Sequence, residues 1–118
     1  MVGTETATLS LLQVAKLTWP KVPDKGEATF EDYCKFLYNH REDIWIICSG
    51  SNLEGMVAAK NTAGRLYVTI LVTLTPDCFE NFISRANEFW GEIKTLAYKR
   101  RGKLVERNFN IFRRKAIQ

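Results

Sequence analysis

The sequence predicts an α+β fold, and three observations carry that reading. From Asp43 to Leu74 the chain holds apolar, β-branched runs broken by turn residues, whereas from Thr75 to Trp90 its apolar residues recur at helical spacing. A length of 118 residues is too short for two ordinary domains, so a single domain over 1–118 is expected. Hydrophobic residues make up 46% and charged residues 25%, which suits a chain that buries one core and argues against a disordered or fibrous one. The expected order is two N-terminal helices, a central and mostly antiparallel sheet, one long amphipathic helix packed on it, and a C-terminal strand or hairpin with a basic tail over 108–118.

The segment 7–17 favours a short helix with Leu11, Leu12 and Ala15 on one side, while Thr8 and Val14 leave a strand open as the alternative. Trp19 to Gly26 carries two prolines and a glycine and must be a connector. Thr29-Phe30-Glu31-Asp32 reads as a capping box, and Phe30, Tyr33, Cys34, Leu37 and Tyr38 follow at helical spacing. That second helix should end near His40, whose ring can meet the terminal carbonyls.

Ile44 to Cys48 is apolar at every position, the pattern of a strand near the sheet centre, and Ser49 to Asn52 supplies a turn. Gly55 to Lys60 is the next strand, and Asn61 to Gly64 is expected to form a four-residue connection. Leu66 to Leu74 is the strongest strand signal, apolar enough to be covered on both faces. Thr75 is then placed as N-cap and Pro76 at the first helical position. Phe79, Phe82, Ile83, Ala86, Phe89 and Trp90 line one side of this long helix, which Gly91 stops. Ile93 to Lys99 and Lys103 to Arg107 read as strands turned by Arg101-Gly102.

Charge is unevenly placed. Residues 1–93 carry a net −4, while 94–118 hold nine cations against Glu106 alone, a net +8. Such an end points to an acidic partner. The candidate contact residues are Lys99, Arg100, Arg101, Lys103, Arg107, Arg113, Arg114 and Lys115, with Phe109 and Phe112 adding apolar grip. An acidic protein surface in a larger assembly is the favoured partner, and nucleic acid is the other class weighed. Cys34, Cys48 and Cys78 are odd in number and widely spaced, which predicts free thiols and neither a disulfide framework nor a metal site. No apolar run approaches the roughly 20 residues that cross a bilayer, and Met1 to Ser10 lacks the basic-then-apolar order of an export signal. Neither membrane insertion nor secretion is expected.

The element order over residues 5–107 resembles the GNAT (acyl-CoA N-acyltransferase) fold, chiefly because Leu66 to Leu74 runs directly into the helix from Thr75. That family holds the coenzyme A pyrophosphate on a loop of the form Arg/Gln-x-x-Gly-x-Gly/Ala. The matching segment here, Val72 to Glu80, has no glycine, loses an amide at Pro76, and sets Asp77 and Glu80 where a pyrophosphate would be repelled. The expectation is therefore no cofactor and no catalytic residue, with Tyr98 a sheet aromatic. Phe82 to Trp90, Ile93 to Tyr98 and Arg100 to Lys103 are similar to small, degenerate GNAT-like proteins of tailed bacteriophages. This resemblance implies a non-catalytic structural or assembly protein, in the virion or in the cytoplasm of a bacterial host, docking through its basic end. The alternatives are an acyl-CoA-dependent N-acyltransferase with an atypical cofactor site, and a nucleic-acid-binding module in which Tyr98, Phe109 and Phe112 stack on bases.

Overall fold

A computed structural model describes residues 2–3, 10–50 and 52–110. Helix α1 (Leu11–Thr18) opens on Ser10, whose hydroxyl accepts from the Gln13 amide while the Gln13 side chain accepts from the Ser10 amide. The cap therefore sits three residues inside the expected start, and residues 7–9 lie outside the described residues. A 3₁₀ turn at Trp19–Lys21 leads into the connector. Helix α2 (Phe30–Asn39) starts at the Thr29 box, as expected, and is closed by His40, whose Nδ1 lies 2.9 Å from the Phe36 carbonyl.

The strands are β1 (Val2–Gly3), β2 (Ile44–Ser49), β3 (Asn52–Thr62), β4 (Arg65–Thr73), β5 (Thr95–Arg100) and β6 (Lys103–Asn108), lying in that order in one mixed sheet. β2, β3 and β4 form an antiparallel meander, and β5 and β6 an antiparallel hairpin. Two pairings are parallel, β1 with β2 and β4 with β5. Helix α3 (Cys78–Trp90) makes the crossover between β4 and β5.

Period-2 alternation explains why β2 is apolar throughout. Ile44, Ile46 and Cys48 pack with Val14, Ala15, Tyr33 and Leu37 of the first two helices, whereas Trp45 and Ile47 pack with Phe82, Ile83 and Ala86 of α3. Helices thus cover both faces of the sheet. β2 lies one strand from the edge, with only the two residues of β1 beyond it, so it is less central than its composition suggests.

Two bulges re-aim the strands. Ile47 pairs with Gly55 and Cys48 with Leu53, which leaves Glu54 without a partner in β2. Ala58 pairs with Ile70 and Ala59 with Val68, which leaves Thr69 without a partner in β3. The extra residue reverses the alternation of β4: Leu66 and Val68 face α3, but Ile70 and Val72 face α1 and α2. Coverage of β4 is accordingly uneven, with Thr69 and Thr73 exposed.

The connections correct the expected boundaries. β3 and β4 are joined by two residues, not four, because Ala63 and Gly64 both adopt positive φ (52° and 87°), as a type I′ turn requires. Arg101 and Gly102 (52° and 78°) do the same for the last hairpin. The Gly64 carbonyl accepts from the amides of Lys94 and Thr95, and this clamp starts the parallel register Arg65 to Thr95. Ile93 is consequently buried ahead of the strand rather than in it.

Candidate functional site

The β5–β6 hairpin carries the predicted cations on an exposed sheet end. Arg100 pairs with Lys103 and Leu96 with Arg107, so Arg100, Lys103 and Arg107 share the α3 side of the hairpin, with Arg101 in the turn. Lys99 falls on the opposite side, opposite Leu104, a leucine that is half exposed. Among the described residues the ion pairs are Lys35–Glu31, Arg65–Glu106 and Arg85–Glu88. Glu106, the one acid of this region, is thus held by Arg65 at 2.9 Å, and among the described residues no carboxylate pairs with Arg100, Arg101, Lys103 or Arg107.

Phe109 requires correction. Its ring is fully buried beside Leu96 and Ile93, and its amide donates to the Lys94 carbonyl at 2.9 Å. It anchors the hairpin in the core and cannot grip a partner, and the chain from Asn108 to Phe109 belongs to the fold rather than to a tail. Phe112, Arg113, Arg114 and Lys115 lie outside the described residues.

Next to the hairpin the sheet opens. β4 and β5 pair only from Arg65–Thr95 to Val68–Tyr98, although β4 continues to Thr73 and β5 to Arg100. The Thr69 bulge marks the point of divergence. On the α3 side the gap opens into a cleft of about 380 Å³ walled by Leu71, Phe79 and Phe82, with Lys99 and Arg100 at its rim. On the other side it meets a second hollow of about 520 Å³ bounded by Trp19, Val22, Tyr33 and Phe36, where Asp24 and Asp32 add carboxylates. Pro23, Thr69, Ile70 and Lys99 line both. The Asp32 carboxyl is held below its ordinary value by the backbone and side-chain hydrogen bonds of Thr29.

Helix α3 begins differently from expectation. Thr75 does not cap it; the Thr75 hydroxyl donates to Glu54 Oε2 at 3.1 Å, and the helix starts at Cys78, two residues later than expected, with Asp77 as N-cap. Asn81 Nδ2 donates to the other oxygen of Glu54 at 3.0 Å. The bulge in β3 thus sends a buried carboxylate behind the first turn of α3, where it faces the thiol of Cys78. Burial, with the Glu54 charge adding to it, pushes the Cys78 thiol up to about 12. Gly55 is obligatory beside it, since a Cβ there would collide with the Val72 carbonyl and the Cys78 sulfur.

Glu54, the Thr69 bulge and the opening between β4 and β5 were not marked by sequence. Among the described residues no cluster of three or more His, Cys, Asp or Glu is placed to hold a metal, and no helix is long and apolar enough to cross a membrane. Comparison with protein-family models, with curated proteins and with solved structures finds no match to this chain.

Proposed function

We propose that this protein is a non-catalytic docking protein of GNAT-like architecture, which joins an acidic protein surface of a larger assembly through its β5–β6 hairpin. The observation that carries the reading is the set Arg100, Arg101, Lys103 and Arg107, displayed together on a two-stranded support with the local acid already engaged by Arg65. A fixed array of like charges repels itself unless a partner of opposite sign meets it. The GNAT-like part rests on the order of helices and strands and on the crossover through α3. The Glu54 carboxylate behind the α3 start, together with Pro76, Asp77 and Glu80, supports a loss of the acyl-CoA chemistry of that fold. The likeness to small bacteriophage proteins makes a virus particle the assembly we favour.

The test is Arg101→Glu/Lys103→Glu/Arg107→Glu. Pull-down of the assembly from the native source should be lost while the denaturation midpoint stays near that of the parent, because exposed charges contribute little to stability. Filter binding to duplex DNA over a salt series runs beside it. DNA binding of any sequence that falls steeply with salt and disappears in the triple variant would replace the protein partner by nucleic acid. A triple variant that assembles like the parent would end the docking reading.

A further inference from the structure

We propose that the opening between β4 and β5 receives an extended acidic peptide of a partner protein, inserted as an added strand; this rests on the docking reading above and names what the partner presents. The first ground is the backbone. Beyond Val68 and Tyr98 the two strands no longer pair with each other, yet β4 stays in register with β3 through Thr73 and β5 stays paired with β6 through Arg100. Each is held on its far side, and among the described residues neither Thr69–Thr73 of β4 nor Lys99–Arg100 of β5 has a strand partner across the gap, the kind of edge that an extended chain completes.

The second ground is the shape of the space. An extended peptide sends alternate side chains to opposite faces of a sheet. The gap has a hollow on each face, apolar at Leu71, Phe79 and Phe82 on the α3 side and mixed around Val22 and Phe36 on the other. The two share Thr69, Ile70 and Lys99, so one strand passing the bulge fills both. Five residues of β4, from Thr69 to Thr73, offer an edge of roughly 16 Å at about 3.3 Å per residue.

The third ground is charge. Lys99 and Arg100 stand where β5 passes the opening, and the neighbouring hairpin adds Arg101 and Lys103. In an extended chain an apolar residue facing α3 sets its acidic neighbours toward the second hollow, where Lys25 and Lys99 stand with Asp24 and Asp32. The Asp32 carboxylate already accepts from the Thr29 amide, and with Arg100, Arg101 and Lys103 the cations around the opening outnumber the acids, so a basic peptide is disfavoured.

The experiment titrates the whole chain with a fluorescein-labelled decapeptide of alternating valine and glutamate, read by anisotropy. The controls are the valine–lysine decapeptide, the valine–glutamate peptide N-methylated on alternate amides, and coenzyme A. The acidic peptide should bind, the lysine peptide should not, and N-methylation should weaken binding at least tenfold because it removes ladder donors. Thr69→Trp, which fills the opening from an exposed position, should also weaken it at least tenfold, with an unchanged denaturation midpoint showing that the variant folds. Equal binding by the methylated peptide or by Thr69→Trp would mean attraction to the hairpin surface alone; that result overturns strand insertion and leaves the docking reading standing. Failure of the acidic peptide to bind, or binding of coenzyme A in its place, also overturns the proposal. Loss of assembly by the hairpin triple variant remains the separate measure of docking itself.

Discussion

The Tyr33 and Thr18 hydroxyls lie 2.6 Å apart in the buried seam between α2 and α1. Thr18 Oγ1 already donates to the Val14 carbonyl at 2.7 Å, so the phenol is the donor between the two. Burial raises the Tyr33 phenol above its ordinary value, against the opposing effect of the Thr18 bond. Tyr33→Phe should cost about 1 kcal/mol, and Thr18→Val about 1–3 kcal/mol because it strands the buried phenol. Urea denaturation of both variants checks the order; a costlier Tyr33→Phe would contradict it.

Glu54 makes a second prediction, on ligand binding. A carboxylate held against Thr75 and Asn81 supplies negative charge at the start of α3, and Asp77 and Glu80 add to it. Acetyl-CoA should therefore bind no better than millimolar by calorimetric titration, since a pyrophosphate would meet repulsion and too few amides. A micromolar, one-to-one complex would restore the acyltransferase reading.

Phe82 and Phe89 should separate in their cost. Phe82 is fully buried and makes edge contacts with Trp45, Phe79 and Trp90. Its replacement by Ala should cost about 3–5 kcal/mol through cavity formation. Phe89 is only partly buried, stacked on Trp45 with ring centroids 5.6 Å apart, and Phe89→Ala should fall below that range. Chemical denaturation decides; equal losses would show that exposure does not grade this face.

Cys78 should behave as an inert thiol. It is fully buried, whereas Cys34 is only partly buried, so an aromatic disulfide reagent at pH 8 should modify Cys34 first and Cys78 only as the protein unfolds. Its raised pKa also sets a pH dependence. Between pH 9.0 and about 12 the unfolded chain gives up this proton while the folded chain keeps it, so stability falls as pH rises through that window. Below pH 9.0 both states hold the proton and the slope vanishes. Comparing parent with Cys78→Ala isolates the effect: the parent should lose more stability across the window, and parallel curves would contradict it.

Features set by neighbouring residues were legible in the sequence. The Thr29 box, the stop at Gly91 and the Arg101-Gly102 turn each depend on chemistry within four residues. The continuous apolar run of β2 and the helical spacing of apolar groups in α3 likewise predicted an α+β arrangement with a helix on a sheet. What could not be read depends on a strand far away in the chain. The bulges at Glu54 and Thr69 exist only in the register with β2 and β3, and Thr75 misled as a cap because its hydroxyl bonds a carboxylate 21 residues earlier. Phe109 looked like part of a tail because its burial site is built by Leu96 and Ile93, not by its own neighbours.

The four-pair seam between β4 and β5 also divides the sheet in time. The meander of β2, β3 and β4 closes through short turns, a low entropic cost. β5 reaches β4 only through the long crossover of α3, and it is held there by four residue pairs and by the Phe109 anchor. The hairpin should therefore open more readily than the meander. In native-state hydrogen exchange its amides should open at lower free energy than those of Ile46, Val57 and Val72, so the basic surface would ride on a part of the sheet that opens apart from the meander.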